Sequence, residues 1–395
     1  MTHRDDNSWT PFRPDEADLK AIGQDVAAVQ DIQTKLLENH RDLHAPDRVA
    51  HQYQIAGGKV LMTVADDLPA ELLDVGLFVP GAAYTGIGRL STGLGTPHVE
   101  TNPDFLGLML AFQTRDKQRV DFLAINDPTS PADNHREFMD VLHATAESAG
   151  AKIPFVGDWG QYQIGNLIAE QGVFGKALIA RMGLAGATKT LAHIVKQTSR
   201  TVFSSTAYQV YWTGIVEAGG TAGKFTLVPA RDENRRPKFH PGERHLSEEW
   251  KKRQLHGDVE FSLFWIPFLS EPETPAQKLT KPWKEQHKRR VGKITFPRTD
   301  FDSGEAKLWA TLASEIGANP GHWVHDKENS ITEPATEFAT ARKIAYARSQ
   351  AGRNALEQRL YQSVFETGEI PAELARELER RRQDKNRAGH VSGAP

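Results

Sequence analysis

The chain has no cysteine among its 395 residues. That excludes disulfides, thiolate-held zinc, iron–sulfur clusters and every other thiolate-ligated cofactor together. Long apolar runs are missing as well. Mean hydropathy is −0.51, and no stretch approaches the ~20 apolar residues of a membrane-spanning helix. Charge of one sign is not in excess either, because 48 Lys and Arg stand against 51 Asp and Glu for a formal net charge of −3. Neither a basic surface for nucleic acid nor an acidic tail is expected. Met1 to Pro14 is polar and charged with no apolar segment behind a basic start, so no secretory signal is read there. The expectation is a soluble, cytoplasmic protein with no nucleic-acid partner and no membrane partner.

What is present is enough chain, at 43.9 kDa, to bury one large core or two ordinary ones. Ala17 to Asn39 carries Leu19, Ile22, Val26, Val29, Ile32 and Leu36 at three- and four-residue spacing, which predicts a helix. Short apolar runs follow at Lys59–Val64, Val75–Val79, Gly86–Ser91, Leu106–Phe112 and Val120–Ile125, separated by turn pairs such as Gly57-Gly58 and Pro80-Gly81. Residues 136–149 and 163–196 read as helices. Strand runs Thr206–Val216 and Lys224–Val228 flank Glu217-Ala218-Gly219-Gly220, a hairpin turn by composition. Val259–Phe268 and Val291–Phe296 are strand-like, and residues 305–316 and 336–366 return to helix. Beyond Pro371 a charged, solvated helix and a disordered end are expected. Strands come in consecutive runs rather than alternating with helices. This predicts an α+β protein built on an antiparallel sheet or barrel with segregated helices.

Several motifs carry little. Gly86-Ile87-Gly88 starts like a dinucleotide loop, but Ser91 takes the third glycine position and no helix follows. His40 with His44, and His322 with His325, read as surface residues in a chain of fifteen histidines. The run Lys284 to Arg290 is interrupted by Glu285 and reads as a solvated turn. The helix around residue 346 says more. Arg342, Tyr346 and Arg353 fall within about 40° of one another on a helix, in one stripe, with Tyr346 and Arg353 about 10 Å apart along the axis. An arginine one turn from a tyrosine favours an anionic phenolate, and a metal would favour it further. Taken alone, such a pair is common on surface helices.

Order along the chain changes that weighting. Asp47-Arg48-Val49-Ala50-His51 resembles the Arg-Val-x-His segment that carries the distal histidine of haem catalases. Arg89-Leu90-Ser91-Thr92 is similar to that family's Arg-Phe-Ser-Thr, and Asn102-Pro103-Asp104-Phe105-Leu106-Gly107 to its Asp-Pro-Arg-Gly-Phe. Asp121-Phe122-Leu123-Ala124-Ile125-Asn126-Asp127-Pro128 resembles its Asp-Leu-Val-Gly-Asn-Asn-Thr-Pro. Phe138, Leu279-Thr280-Lys281-Pro282-Trp283, Val291-Gly292-Lys293-Ile294 and finally Arg342, Tyr346 and Arg353 follow in the family's order. The resemblance spans roughly residues 45 to 355.

The resemblance implies a catalase-like antiparallel β-barrel with flanking helices and haem b as cofactor. In the implied layout, residues 1–16 form an arm, 17–366 the haem-binding domain and 367–395 a tail. By position, Tyr346 is the implied iron ligand and Arg342 stabilises its phenolate. Arg48, Arg89 and Arg353 meet the haem propionates, Phe138 lies near the haem plane, His51 is the distal acid/base and Ser91 orients it. The family's distal asparagine is replaced by Ile125, which leaves Asn126 as the candidate for that role. Ala50, Gly93 and Ser130 stand where the family has larger residues, so a wider pocket is expected. The implied function is peroxidase-type turnover of a peroxide or hydroperoxide with weak catalase activity. A hydroperoxide-rearranging or biosynthetic haem oxidase, a non-catalytic haem-binding protein and a homo-oligomeric state stay open at this point.

Overall fold

The structure, a computed structural model, describes residues 9–39, 45–93, 95, 100, 104–149, 151, 164–198, 205–230, 244–323 and 336–387. Eight antiparallel strands close into a barrel in chain order. They are β1 (Gln54–Val64), β2 (Ala83–Thr92), β3 (Leu106–Gln113), β4 (Arg119–Ile125), β5 (Tyr211–Ala218), β6 (Thr221–Pro229), β7 (Val259–Pro267) and β8 (Arg289–Phe296), with β8 pairing back onto β1. The β4–β5 seam is short, joined through Ala124–Thr213 and Ile125–Trp212, and beyond it Asp121 N donates to His322 O at 2.9 Å.

The period-two alternation of strands sorts the side chains into two sets. Leu90, Leu108, Leu110, Phe112 and Phe122 point inward to the barrel core, whereas Ile87, Met109 and Ala111 point outward against helices. Phe225 sits at the centre of the interior, with ring centroids 5.2 Å from Phe78, 5.3 Å from Phe122 and 4.9 Å from Trp265. The Gly86-Ile87-Gly88 run lies within β2 and serves this packing. A Cβ at residue 88 would fall 2.5 Å from Val60 Cγ1 and 2.6 Å from Phe296 Cε1. At the β5–β6 hairpin, Gly219 and Gly220 take φ 54 and 76 as a tight primed turn requires.

Helices cover the outside. α1 (Glu16–Asp25), α2 (Val29–Asn39) and α3 (His135–Ser148) share one apolar cluster with the helix numbered α7 (Glu337–Gly352). α4 (Ile164–Thr198) packs on α3 and is broken at Gly183, where φ is 69. α5 (His245–His256) presses Leu246 and Trp250 into the barrel core. α6 (Gly304–Glu315), α8 (Gln358–Thr367) and α9 (Ala372–Arg387) cover the outer face of β2 and β3.

The sequence expectations fail locally where turns intervene. Val75–Val79 is not a strand. Asp74 and Gly76 adopt φ 60 and 57, and the run folds into a turn that plugs Val75, Leu77 and Phe78 into the core. Ala17–Asn39 is two helices rather than one, because the chain turns at Val26-Ala27-Ala28 while keeping Ile22, Val26, Val29, Ile32 and Leu36 on a single buried face. The 336–366 helix is likewise split, at Asn354 with φ 52. Thr206–Tyr208 is a short 3-10 turn ahead of β5. α5 has no counterpart in the sequence reading. His40, His44, His325, Asn102, Pro103, residues 1–8 of the arm and 388–395 of the tail lie outside the described residues. Within them, no helix is long and apolar enough to cross a membrane.

Candidate active site

Between the outer faces of the barrel strands and helices α3 and α7 lies a cavity of about 240 Å³. One water needs only ~10–15 Å³, so this is ligand-sized space rather than a packing defect. His51, just ahead of β1, reaches it with backbone φ 59. A left-handed histidine is uncommon and costs on the order of 1 kcal/mol unless its surroundings impose it. Here they do. The His51 N–H donates to Gly93 O at 2.9 Å, and the ring lies against Gly107, where a Cβ would fall within 2.6 Å of Cε1. His51 Nδ1 is 3.1 Å from Thr92 O and 3.3 Å from Ser91 Oγ. A carbonyl only accepts, so Nδ1 carries the hydrogen and Nε2 is left as the basic nitrogen. Burial pushes the imidazole down to about 4. Asp104 opposes that shift, and Arg89 and Arg342 add to it. The ring is therefore neutral at pH 7.

A second group is cationic. Arg48, Arg89 and Arg353 line one part of the cavity. Arg48 Nη2 donates to Ser314 O at 2.5 Å and Ile316 O at 3.3 Å, and Arg353 Nη2 donates to Ile316 O at 2.8 Å. The negative carbonyl end of α6 thus grips two of the three. Arg89 Nη2 donates to the carbonyls of His51 and Gln52, both at 2.8 Å, and its Nε to Gln54 at 3.1 Å. Burial holds Arg89 well below the usual arginine range, with Arg48 and Arg353 repelling it and Asp47 partly offsetting them. Burial, with Arg48 next, lowers Arg353 to about 9. Of the two carboxylates acting on Arg353, Asp47 also bonds Arg48, and Glu315 is taken by Arg381 and Lys385 at 2.9 and 2.6 Å. One buried cation, Arg89, and two half-buried ones, Arg48 and Arg353, face one cavity with too few anions to match them.

The third group stands on α7. Arg342 Nη2 is 3.4 Å from the Tyr346 hydroxyl, and its guanidinium lies 5.4 Å from that ring's centroid. The stripe of Arg342, Tyr346 and Arg353 faces the cavity as the helical spacing requires. Phe138 lines it too, edge-to-face with Phe338 at 5.5 Å. Of the nine expected site residues, eight line this one cavity. Asn126 does not. Strand alternation turns Ile125 to the cavity wall, while the Asn126 side chain accepts from Leu106 N at 2.8 Å and donates to Gln209 Oε1 at 3.3 Å.

No family model matches the chain, and no curated protein matches it. Solved structures do. A fungal catalase crystal structure superposes at a TM-score of 0.56 with 14% identity, covering 78% of this chain and 59% of that one. A bacterial catalase gives 0.57 with 18% identity over 80% and 59%. Catalase A from Saccharomyces cerevisiae gives 0.57 with 13% identity over 80% and 63%. The fold is catalase-like. The chain spans about three-fifths of the length of these catalases.

Two contributors to this cavity were given no role by the sequence. Asp104, buried, accepts from Gly93 N at 2.8 Å and from Phe105 N at 2.6 Å, so it holds the residue whose carbonyl fixes the His51 backbone. Its signal is an aspartate at the head of an otherwise apolar strand. Lys224, on β6, lines the cavity at 5% exposure. The sequence offered only a lysine opening a strand run. His322, expected at the surface, is one-third exposed and pairs with the buried Asp121 at 2.7 Å; it is not among the residues lining the cavity.

Proposed function

We propose that the chain binds haem b in this cavity and reduces peroxides, with an organic hydroperoxide and an external reductant as its normal substrates. The observation that carries this is convergence. Residues from four separate stretches of sequence, expected together from the resemblance of their motifs, line one cavity with a neutral histidine, a tyrosine and a cluster of unmatched arginines. The residues suit the group. A porphyrin offers two carboxylates to Arg48, Arg89 and Arg353, and charge-assisted pairs would relieve cations that are otherwise short of anions. Tyr346 would hold the iron through its phenol oxygen, which Arg342 Nη2 approaches to 3.4 Å. Bound there, an iron porphyrin supplies the redox chemistry that O–O cleavage requires.

The chain's own part is proton management. His51 Nε2, unprotonated at neutral pH, takes the proton from one peroxide oxygen and delivers it to the other as water or an alcohol leaves. Thr92 O and Ser91 Oγ hold Nδ1–H, so the tautomer does not drift. With Ile125 on the wall and the Asn126 amide engaged elsewhere, no amide from that pair helps hold a second small peroxide. This favours reductant-dependent turnover over dismutation. Ala50, Gly93 and Ser130 all line the cavity, which favours a bulky hydroperoxide and makes its rearrangement the second reading.

The test is the purified protein itself. A Soret band is expected, with consumption of hydrogen peroxide and cumene hydroperoxide that depends on an added reductant and releases little oxygen. Absence of haem, or oxygen release at the rate of an ordinary catalase, would overturn the proposal. Rearranged product without reductant would select the second reading. Tyr346→Phe is expected to change the ferric spectrum and lower haem occupancy; an unchanged spectrum would assign the ligand elsewhere.

A further inference from the structure

We infer that Lys224 is an anion-binding residue of the cavity and that the molecule admitted there is an aliphatic carboxylate. With the function proposed above, the substrate is then a hydroperoxide of a carboxylic acid. The hydroperoxide half of this inference rests on that reading; the carboxylate half does not.

The argument starts from a lysine where lysines are seldom found. Lys224 is 5% exposed on the outer face of β6, paired across the sheet with Ile215 on one side and Ile266 on the other. The next residue, Phe225, points into the barrel, so the alternation of the strand fixes the ammonium on the cavity side. Burying an ammonium without an anion is costly. Yet Lys224 makes no hydrogen bond or ion pair among the described residues; its ammonium lies over the face of Trp283, with the ring centroid 4.9 Å away. Two carboxylates act on it from a distance, and both have partners of their own. Asp127 accepts from Thr129 N at 2.9 Å. Glu285 accepts from Trp212 Nε1 at 2.6 Å and pairs with Lys288 at 3.0 Å. Burial pulls the ammonium down to about 8, with those two carboxylates holding it up, so it is mainly charged at neutral pH.

This cation is also surplus to the haem. The three arginines act chiefly on one another and on Asp47 and Glu315, and they already outnumber two propionates. Lys224 belongs to a separate pole with Asp127 and Glu285. Around it the wall is mostly apolar, through Trp212, Ile215, Leu279 and Phe338, with Asp127 and Thr129 among its polar members. An ammonium at the edge of an apolar cavity is complementary to a ligand with a hydrocarbon body and one carboxylate.

The experiment is calorimetric titration of the purified protein, in whatever haem state it is isolated, with decanoate and with its uncharged counterpart decanamide. Wild type is expected to bind decanoate at least about tenfold more tightly, the order of one charge-assisted hydrogen bond. Lys224→Met should lose that preference and Lys224→Arg should keep it. Thermal unfolding of each variant reports whether it is folded, and removal of an unpaired buried charge is not expected to weaken the fold. Equal affinity of wild type for the two probes, or an undiminished preference in folded Lys224→Met, would overturn the inference. A haem-free protein that still prefers decanoate would sink the function proposed above and leave this inference standing.

Discussion

Phe225 and Lys224 are neighbours on one strand, and they divide the molecule into two regions. On the inner side of the barrel, Phe225 meets Phe78, Phe122, Trp265 and Trp323 with ring centroids 4.9 to 5.9 Å apart. On the outer side, Lys224, Arg89, Arg353 and His51 share a cavity in which cations lack matching anions and one backbone is held at positive φ. The interior is filled by aromatic packing. The outer wall instead holds cations and a left-handed histidine, and these face the same space. Sites where sequence and packing disagree with stability are where function is to be sought. The contrast predicts that substitutions on the two sides separate cleanly into lost chemistry and lost stability.

The largest effect expected is from His51→Ala on the outer side. Removing a general acid/base is worth ~10²–10⁴-fold in rate, so peroxide consumption by the haem-loaded variant should fall by about that factor, with haem retained and thermal stability near wild type. A variant that unfolds in step with its loss of activity would break the comparison. Next is Phe225→Ala on the inner side. Truncating a buried phenylalanine costs about 3–5 kcal/mol, to be read from urea unfolding, and a loss under 1 kcal/mol would mean that the interior relaxes far more than its ring contacts suggest. The pH response is smaller and has a definite sign. His51 titrates at about 4 in the folded chain against 6.5 unperturbed. As the base it is active when unprotonated, so the rate of peroxide cleavage should stay level from pH 7 to near 5 and fall only as pH approaches 4. The unfolded chain takes the proton first. This group therefore withdraws stability progressively as pH drops from 6.5 toward 4 and changes nothing above 6.5. A rate that halves near pH 6.5 would mean that the imidazole is not shielded as the geometry implies.

The two regions were not equally legible in the sequence. Strands of the barrel could be read because alternation and β-branched or aromatic runs are local signals; Val120–Ile125 and Val291–Phe296 fall within a residue or two of β4 and β8. Closure into a barrel, and α5 with its weakly patterned charged surface, depend on partners far along the chain. Val75–Val79 misled because an apolar run can be buried as a turn when Asp74 and Gly76 accept positive φ. On the cavity side, the stripe of Arg342, Tyr346 and Arg353 followed from helical spacing. Arg48, His51, Arg89 and Ser91 were reached only through the order of motifs. Asn126 was misplaced because one residue's shift at a strand end exchanges the two faces of a sheet. Thr92 could not be found at all, since its backbone carbonyl does the work and any residue would supply one. Lys224 was hidden for a related reason. Nothing in Gly223-Lys224-Phe225 states which of the two faces opens on a cavity.

The smallest effect expected concerns that carbonyl. Two acceptors face His51 Nδ1, Thr92 O at 3.1 Å and Ser91 Oγ at 3.3 Å. The serine is the farther, and its hydroxyl can rotate away, whereas the carbonyl is fixed by β2. Ser91→Ala removes one neutral hydrogen bond of about 0.5–1.5 kcal/mol and leaves the tautomer set by the backbone. Peroxide cleavage should therefore fall by less than about tenfold, with the pH at which activity is lost staying near 4. A loss approaching that of His51→Ala, or a pH midpoint displaced by a unit or more, would transfer the orienting role from the backbone to the hydroxyl. In that case the cavity side would rest on side-chain identity throughout, and its legibility in the sequence would be greater than the geometry argues.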